Sequence, residues 1–200
     1  MIEDHLQRTQ VLVRFARNEK LLRQRAGLSQ RDAAFLAGLH RTAIGLLERH
    51  ERMPRLGTIV RIFSVVDSDP WELLEGLSWH LDPHERDRRQ EPTNRNIGAG
   101  PRVVVPGPAA RFGLLLTRQR LRLGLRQEEV GLRLRMHRPE ISLIEHGGRQ
   151  PSLDLFLQLA AAVDSDPGDL LAGTHWIPRD SVVGGRYLAK ADGHQGALYV

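Results

Sequence analysis

Apolar residues recur along the chain at spacings of three and four, in short blocks opened by capping residues and closed by glycine. This pattern predicts short α-helices. The first covers about residues 12–26 and stops before Gly27, which suits the left-handed position after a helix. Ser29-Gln30-Arg31-Asp32 opens a second helix as a capping box, and Gly38 closes it. After the turn Gly38-Leu39-His40, a third helix covers about 41–49. Its Ile44 and Leu47 face a core, while Arg41, Thr42, Gly45, Leu46 and Arg49 fall on the opposite side. A fourth, about 56–66, carries Leu56, Ile59, Val60, Ile62, Phe63 and Val66 on its apolar face. Asp69-Pro70-Trp71-Glu72 opens a fifth, with Asp as N-cap, Pro at N1 and Glu at N3.

The pattern then starts again. Shifting Arg14–Trp79 by 97 positions lays it on Arg111–Trp176 without a gap, and about 24 of 66 positions are identical. Gly27-Leu28 returns as Gly124-Leu125, His40-Arg41 as His137-Arg138, and Asp67-Ser68-Asp69-Pro70 as Asp164-Ser165-Asp166-Pro167. The expected architecture is all-α: two tandem five-helix domains at 12–79 and 111–176. Residues 80–110, rich in charge, proline and glycine, read as a linker, with Arg102–Val105 as a short strand within it. The tail, 177–200, predicts a small β-hairpin of Arg186–Ala189 with Ala197–Val200 around a turn at 192–196.

Composition narrows the chemistry. There is no cysteine among 200 residues, which removes disulfides, thiolate metal sites and cysteine nucleophiles. No apolar run is long enough for a membrane span, and the charged first 30 residues give no expectation of a secretory signal peptide, so a cytoplasmic location is expected. The net charge is +5, and 27 of the 29 cations are arginine, whose planar fork suits phosphates and guanine edges. From Arg111 to Arg138 eight arginines face only Glu128 and Glu129, while the acids of both copies gather around the fifth helix. This distribution points to an anionic partner more strongly than the sum does.

A helix, a turn of about three residues and a second helix make the helix-turn-helix arrangement. Both copies resemble the DNA-binding domain of the lambda-repressor/Cro class, the XRE-type family. The first carries Leu22-Arg23-Gln24-Arg25-Ala26-Gly27-Leu28-Ser29-Gln30. The second carries Ile141-Ser142-Leu143-Ile144-Glu145-His146-Gly147-Gly148-Arg149-Gln150-Pro151-Ser152-Leu153. The sequence departs from the family in three places: Arg126 replaces the Ser N-cap, Arg135 the turn glycine, and His50 the glycine after the third helix. The capping and turn losses should each cost on the order of 1 kcal/mol.

The resemblance implies a sequence-specific regulator of double-stranded DNA, a repressor, without enzymatic activity or cofactor. It places the base-reading positions at Arg41, Thr42 and Leu46, and at Arg138, Pro139 and Leu143. An arginine there suits guanine O6 and N7, or a phosphate; a leucine suits a thymine methyl, or packing on the second helix. Gln30 and Gln127 match the family's backbone-contacting glutamine, and Arg31, Arg49, Arg52, Arg126, His146 and Arg149 are further phosphate candidates. His40 and His137 are expected to cap the third helix. Glu48 and Glu145 would be repelled by phosphates. The family pairs them with the arginine seven residues before the glutamine, here Arg23 and Arg120.

A flexible linker of 31 residues spans roughly 30 Å, close to the ~34 Å between half-sites one turn apart. One chain is therefore expected to act as a pseudo-dimer on two similar half-sites, or as a homodimer on four, and a free linker would permit direct repeats. The other class of reading is an antitoxin or interaction adaptor on the same fold, with the tail engaging a protein partner and one copy not binding DNA. His80 and His84 are four apart, but Pro83 breaks any helix joining them, so no metal site is expected. Trp79 and Trp176 are expected to close the two cores, and Trp71, opposite Gly168 in the repeat, to bridge the copies.

Overall fold

The computed structural model describes residues 2–81, 107–179 and 184–189. The first copy comprises α1 (Ile2–Arg25), α2 (Gln30–Leu36), α3 (Ala43–Glu48), α4 (Leu56–Val65) and α5 (Pro70–Leu73). The second comprises α6 (Pro108–Arg122), α7 (Gln127–Arg133), α8 (Arg138–Glu145), α9 (Leu153–Ala162) and a 3-10 turn (Asp169–Leu171). An antiparallel pair follows, β1 (Thr174–Pro178) with β2 (Gly185–Ala189).

Several elements differ from expectation. Helix α1 starts at Ile2, well before position 12, because no glycine or proline interrupts residues 2–25. Its start is tied down by Gln7, which accepts from the backbone N–H of His80 at 2.9 Å and donates to His80 O at 3.2 Å. The fifth element of the second copy is only a 3-10 turn. Gly168 stands where Trp71 does, and its N–H is taken by Asp166 Oδ1 at 2.7 Å. A hairpin is present, with 174–178, which the sequence reading left outside it, as the strand paired with β2; the expected partner strand 197–200 lies outside the described residues. Residues 190–200 and the expected strand 102–105 lie outside the described residues.

The sequence pattern explains each core. Phe15 and Phe63 in the first copy, and Phe112 and Phe156 in the second, are fully buried; the latter two rings meet at 5.4 Å between centroids. Each such ring contributes about 2–3 kcal/mol by leaving water. The apolar stripe of α4 buries Leu56, Ile59, Val60, Ile62 and Phe63, and the buried side chains of both copies form one continuous cluster.

The copies meet through equivalent residues. Leu56 N–H donates to Pro151 O at 2.9 Å, and Leu153 N–H donates to Pro54 O at 2.9 Å. Because Leu56 and Leu153, and likewise Pro54 and Pro151, are repeat equivalents, the two bonds are related by a local two-fold axis. Arg55 and Ser152, also equivalents, form the antiparallel bridge on that axis. Helix α1 packs on α9 and α4 on α6, the same contact made in each direction. Trp71 lies against Gly168, where an added Cβ would come within 2.5 Å of its ring.

The hairpin breaks this symmetry. It folds over α4 of the first copy, and Trp176, 6% exposed, closes that copy rather than its own. Its indole N–H donates to Leu36 O and its backbone N–H to Ser64 Oγ, both at 2.9 Å. Arg61 lies over the Trp176 ring at 4.3 Å, donates to Tyr187 Oη at 2.6 Å, and reaches Gly38 O at 3.1 Å. The hairpin thus braces the turn between α2 and α3 from behind.

Candidate nucleic-acid interface

Each copy builds the same unit: α2–turn–α3 in the first and α7–turn–α8 in the second. Ser29 Oγ accepts from Asp32 N–H at 3.1 Å and starts α2. Arg126 has no hydroxyl to offer. Instead its backbone N–H donates to Glu129 Oε2 at 2.7 Å, so half of the capping box survives. In the turn, Gly38 has φ +59° and Arg135 has φ +52°; after the recognition helix, His50 has φ +62° and Gly147 +72°. Each copy holds one non-glycine residue in the left-handed region where the other has glycine, at a cost of about 1 kcal/mol.

The recognition helices start at different points. Helix α8 begins at Arg138, with Pro139 in its first turn and the N–H of its N-cap His137 donating to Glu140 Oε2 at 3.2 Å. Helix α3 begins only at Ala43. Ala43 is the equivalent of Glu140 and cannot return that bond, so Arg41 and Thr42 stay in the turn rather than at the expected first helical positions. Thr42 occupies the cap, and His40 bonds it through Nδ1, 2.9 Å from Thr42 Oγ1.

Behind each recognition helix lies an Arg–Glu–Gln triad whose arginine is buried, with Gln30 of the first copy at the exposed edge. Arg23 Nη2 is 2.6 Å from Glu48 Oε1, its Nη1 donates to Leu28 O at 2.7 Å, and Gln30 Nε2 donates to Glu48 Oε2 at 2.8 Å. In the second copy Arg120 bonds both Glu145 oxygens at 2.6 and 3.0 Å, its Nη1 donates to Leu125 O at 2.7 Å, and Gln127 Nε2 donates to Glu145 Oε2 at 2.7 Å. The glutamate therefore fixes three elements to one another. Each glutamine spends one of its two amide hydrogens on this bond.

The outer face is less uniform. Ile44, Leu47, Ile141 and Ile144 are buried, as their spacing requires. Leu143 is 49% exposed, Leu46 is half-buried, and Arg41, Thr42, Arg138 and Pro139 are exposed. Arg31, Arg41 and Arg52 are exposed, and no carboxylate among the described residues pairs with them. The other candidates are engaged. Arg138 pairs with Glu128 at 3.0 Å, Arg149 with Glu140 at 3.0 Å, Arg126 with Glu129 at 3.4 Å and Arg49 with Glu51 at 2.7 Å. His146 Nδ1 lies 2.7 Å from Ser142 O.

Sequence reasoning did not single out Glu19. It is fully buried beside the first triad, 4.0 Å from Arg23 Nε, and neither carboxyl oxygen has a hydrogen-bond partner among the described residues. Burial and the negative charge of Glu48 push its pKa up to about 8 against the pull of Arg23, so it carries its proton at neutral pH. Its equivalent, Leu116, is buried without charge. Nor was the Arg61–Trp176–Tyr187 cluster legible, since it joins residues more than a hundred positions apart.

The helix-turn-helix family model matches residues 20–70 and 116–170, together more than half of the chain. A crystal structure of an HTH_3 family transcriptional regulator from Vibrio cholerae shares 27% identity over 34% of this chain and 38% of that one, with a TM-score of 0.32. No match was found among curated proteins. With the repeated triads and turns described above, the chain belongs to the XRE-type helix-turn-helix family and carries its DNA-binding domain twice.

Proposed function

We propose that this DNA-binding regulator is a repressor that uses both copies at once, one chain on two similar half-sites set in inverted orientation. The observation that carries this reading is the reciprocal pair of bonds between Leu56 and Pro151 and between Leu153 and Pro54. A two-fold relation between the copies carries α3 onto α8, and two helices so related require half-sites that are themselves related by a two-fold axis. Direct repeats, which a free tether would allow, do not fit that geometry. Arg41 and Arg138 then approach guanine edges, Thr42, Pro139, Leu46 and Leu143 line the neighbouring contacts, and Gln30 and Gln127 each offer the remaining amide hydrogen to a phosphate. Arg31, Arg49, Arg52, Arg126, His146 and Arg149 surround this face as phosphate contacts. Occupation of a promoter by this block excludes polymerase, hence repression.

Selection of bound duplexes from random sequence by the full chain tests it. The expected product is an imperfect inverted repeat with half-site centres about 10 base pairs apart. Arg41→Ala should erase preference in one half and Arg138→Ala in the other. Recovery of direct repeats, or of a single protected half-site, would overturn the reading.

A further inference from the structure

Along the repeat, the faces expected to meet DNA differ in charge, and two of the differences place an acid in the second copy only. Glu128 stands where the first copy has Arg31, and Glu140 where it has Ala43. The structure shows what these acids do. Glu128 Oε1 takes Arg138 Nε at 3.0 Å, and Glu140 Oε1 takes Arg149 Nη1 at 3.0 Å. The equivalents of those two arginines, Arg41 and Arg52, are exposed and meet no carboxylate among the described residues. So the foremost arginine of the first copy is free, and that of the second is held by its own neighbour.

We infer that Glu128 attenuates the second copy, making the chain an oriented reader with one strict and one relaxed half-site. This rests on the DNA-binding reading above. The side chains of Arg138 and Glu128 are 59% and 42% exposed, so the pair opens readily in water and the arginine is not locked away. The larger effect comes afterwards. An arginine that leaves for a guanine or a phosphate leaves Glu128 bare beside the DNA backbone, where a carboxylate is repelled. The first copy has Arg31 at that place and gains a phosphate contact instead. A quasi-palindromic site would then be bound in one preferred direction, with the first copy on the half that matches best.

The test uses the full chain on the duplex it selects, with affinity measured across a salt series and melting temperature as a check on folding. Glu128→Gln should tighten binding by about threefold to tenfold, and Glu128→Arg by more than tenfold, with the salt slope steeper by about one. Selection with Glu128→Arg should return a second half-site as strict as the first. The reverse exchange, Arg31→Glu, should weaken binding by about tenfold while leaving the melting temperature within a few degrees. Unchanged or weaker binding by Glu128→Gln would overturn the proposal and assign Glu128 to positioning Arg138. If Arg41→Ala weakens binding while Glu128→Gln and Glu128→Arg leave it unchanged, attenuation fails and DNA reading stands. If the full chain selects no sequence and Arg41→Ala changes nothing, both fail.

Discussion

In the first copy the buried Arg23–Glu48 pair lies beside Glu19; in the second, the Arg120–Glu145 pair has Leu116 in that place. The first copy is braced from behind by the hairpin, through Trp176 on Leu36 O and Arg61, while the second has Arg133 Nη1 donating to Ala162 O behind its own turn. Repeat-related domains therefore keep the triad that sets the recognition helix and diverge in what surrounds it. The lesson is that the triad tolerates very different neighbours, because it supplies its own counter-charge and hydrogen bonds.

The comparison can be broken most severely at the triad itself. Arg120→Ala leaves Glu145 buried with only Gln127 for company and should lower the unfolding free energy by about 3–5 kcal/mol in chemical denaturation. An unchanged midpoint would mean that the pair does not organise the second copy. Next comes the brace. Trp176→Ala should cost about 3 kcal/mol, and the loss should appear as faster hydrogen exchange in α2 and α4. Protection lost only in the second copy would show that Trp176 serves its own domain after all.

Acidity separates the copies more gently. Glu19 titrates near 8 in the fold against an ordinary value of 4.5, so the folded chain keeps a proton that the unfolded chain has lost. Across that window the native state binds more protons, and stability must fall as pH rises, by up to about 1.4 kcal/mol per unit. Urea denaturation at several pH values from 5 to 8 should show this slope, and Glu19→Leu, which copies the second domain, should remove it. Persistence of the slope in that variant would assign it to another group. The smallest effect concerns the two left-handed residues: His50→Gly and Arg135→Gly should each stabilise by about 1 kcal/mol in thermal unfolding, since each gives one copy the glycine the other has.

Much of this was legible in the chain because it depends on neighbours in sequence. Helix periods and the N-cap positions of Ser29 and Asp69 follow from local geometry read twice, and the pairing of Arg23 with Glu48 from the family resemblance. Local rules failed where a cap was subtle or a partner was far away. Helix α3 starts two residues late because Ala43 cannot act as Glu140 does. β2 found residues 174–178 because Thr174 and Trp176 had a distant copy to bury against, which no periodicity in the tail reveals.

By itself, then, the sequence determined two all-α helix-turn-helix units and the apolar faces of their helices, since these rest on local spacing, while the family resemblance supplied the Arg–Glu pair of each copy. Only the tertiary structure decided that the copies meet about a two-fold axis, that Trp176 closes the first rather than the second, and which arginines stand free. These depend on surfaces that distant parts of the chain present to one another, where a backbone N–H at Leu56 finds a carbonyl at Pro151 and an exposed arginine either meets a carboxylate or does not.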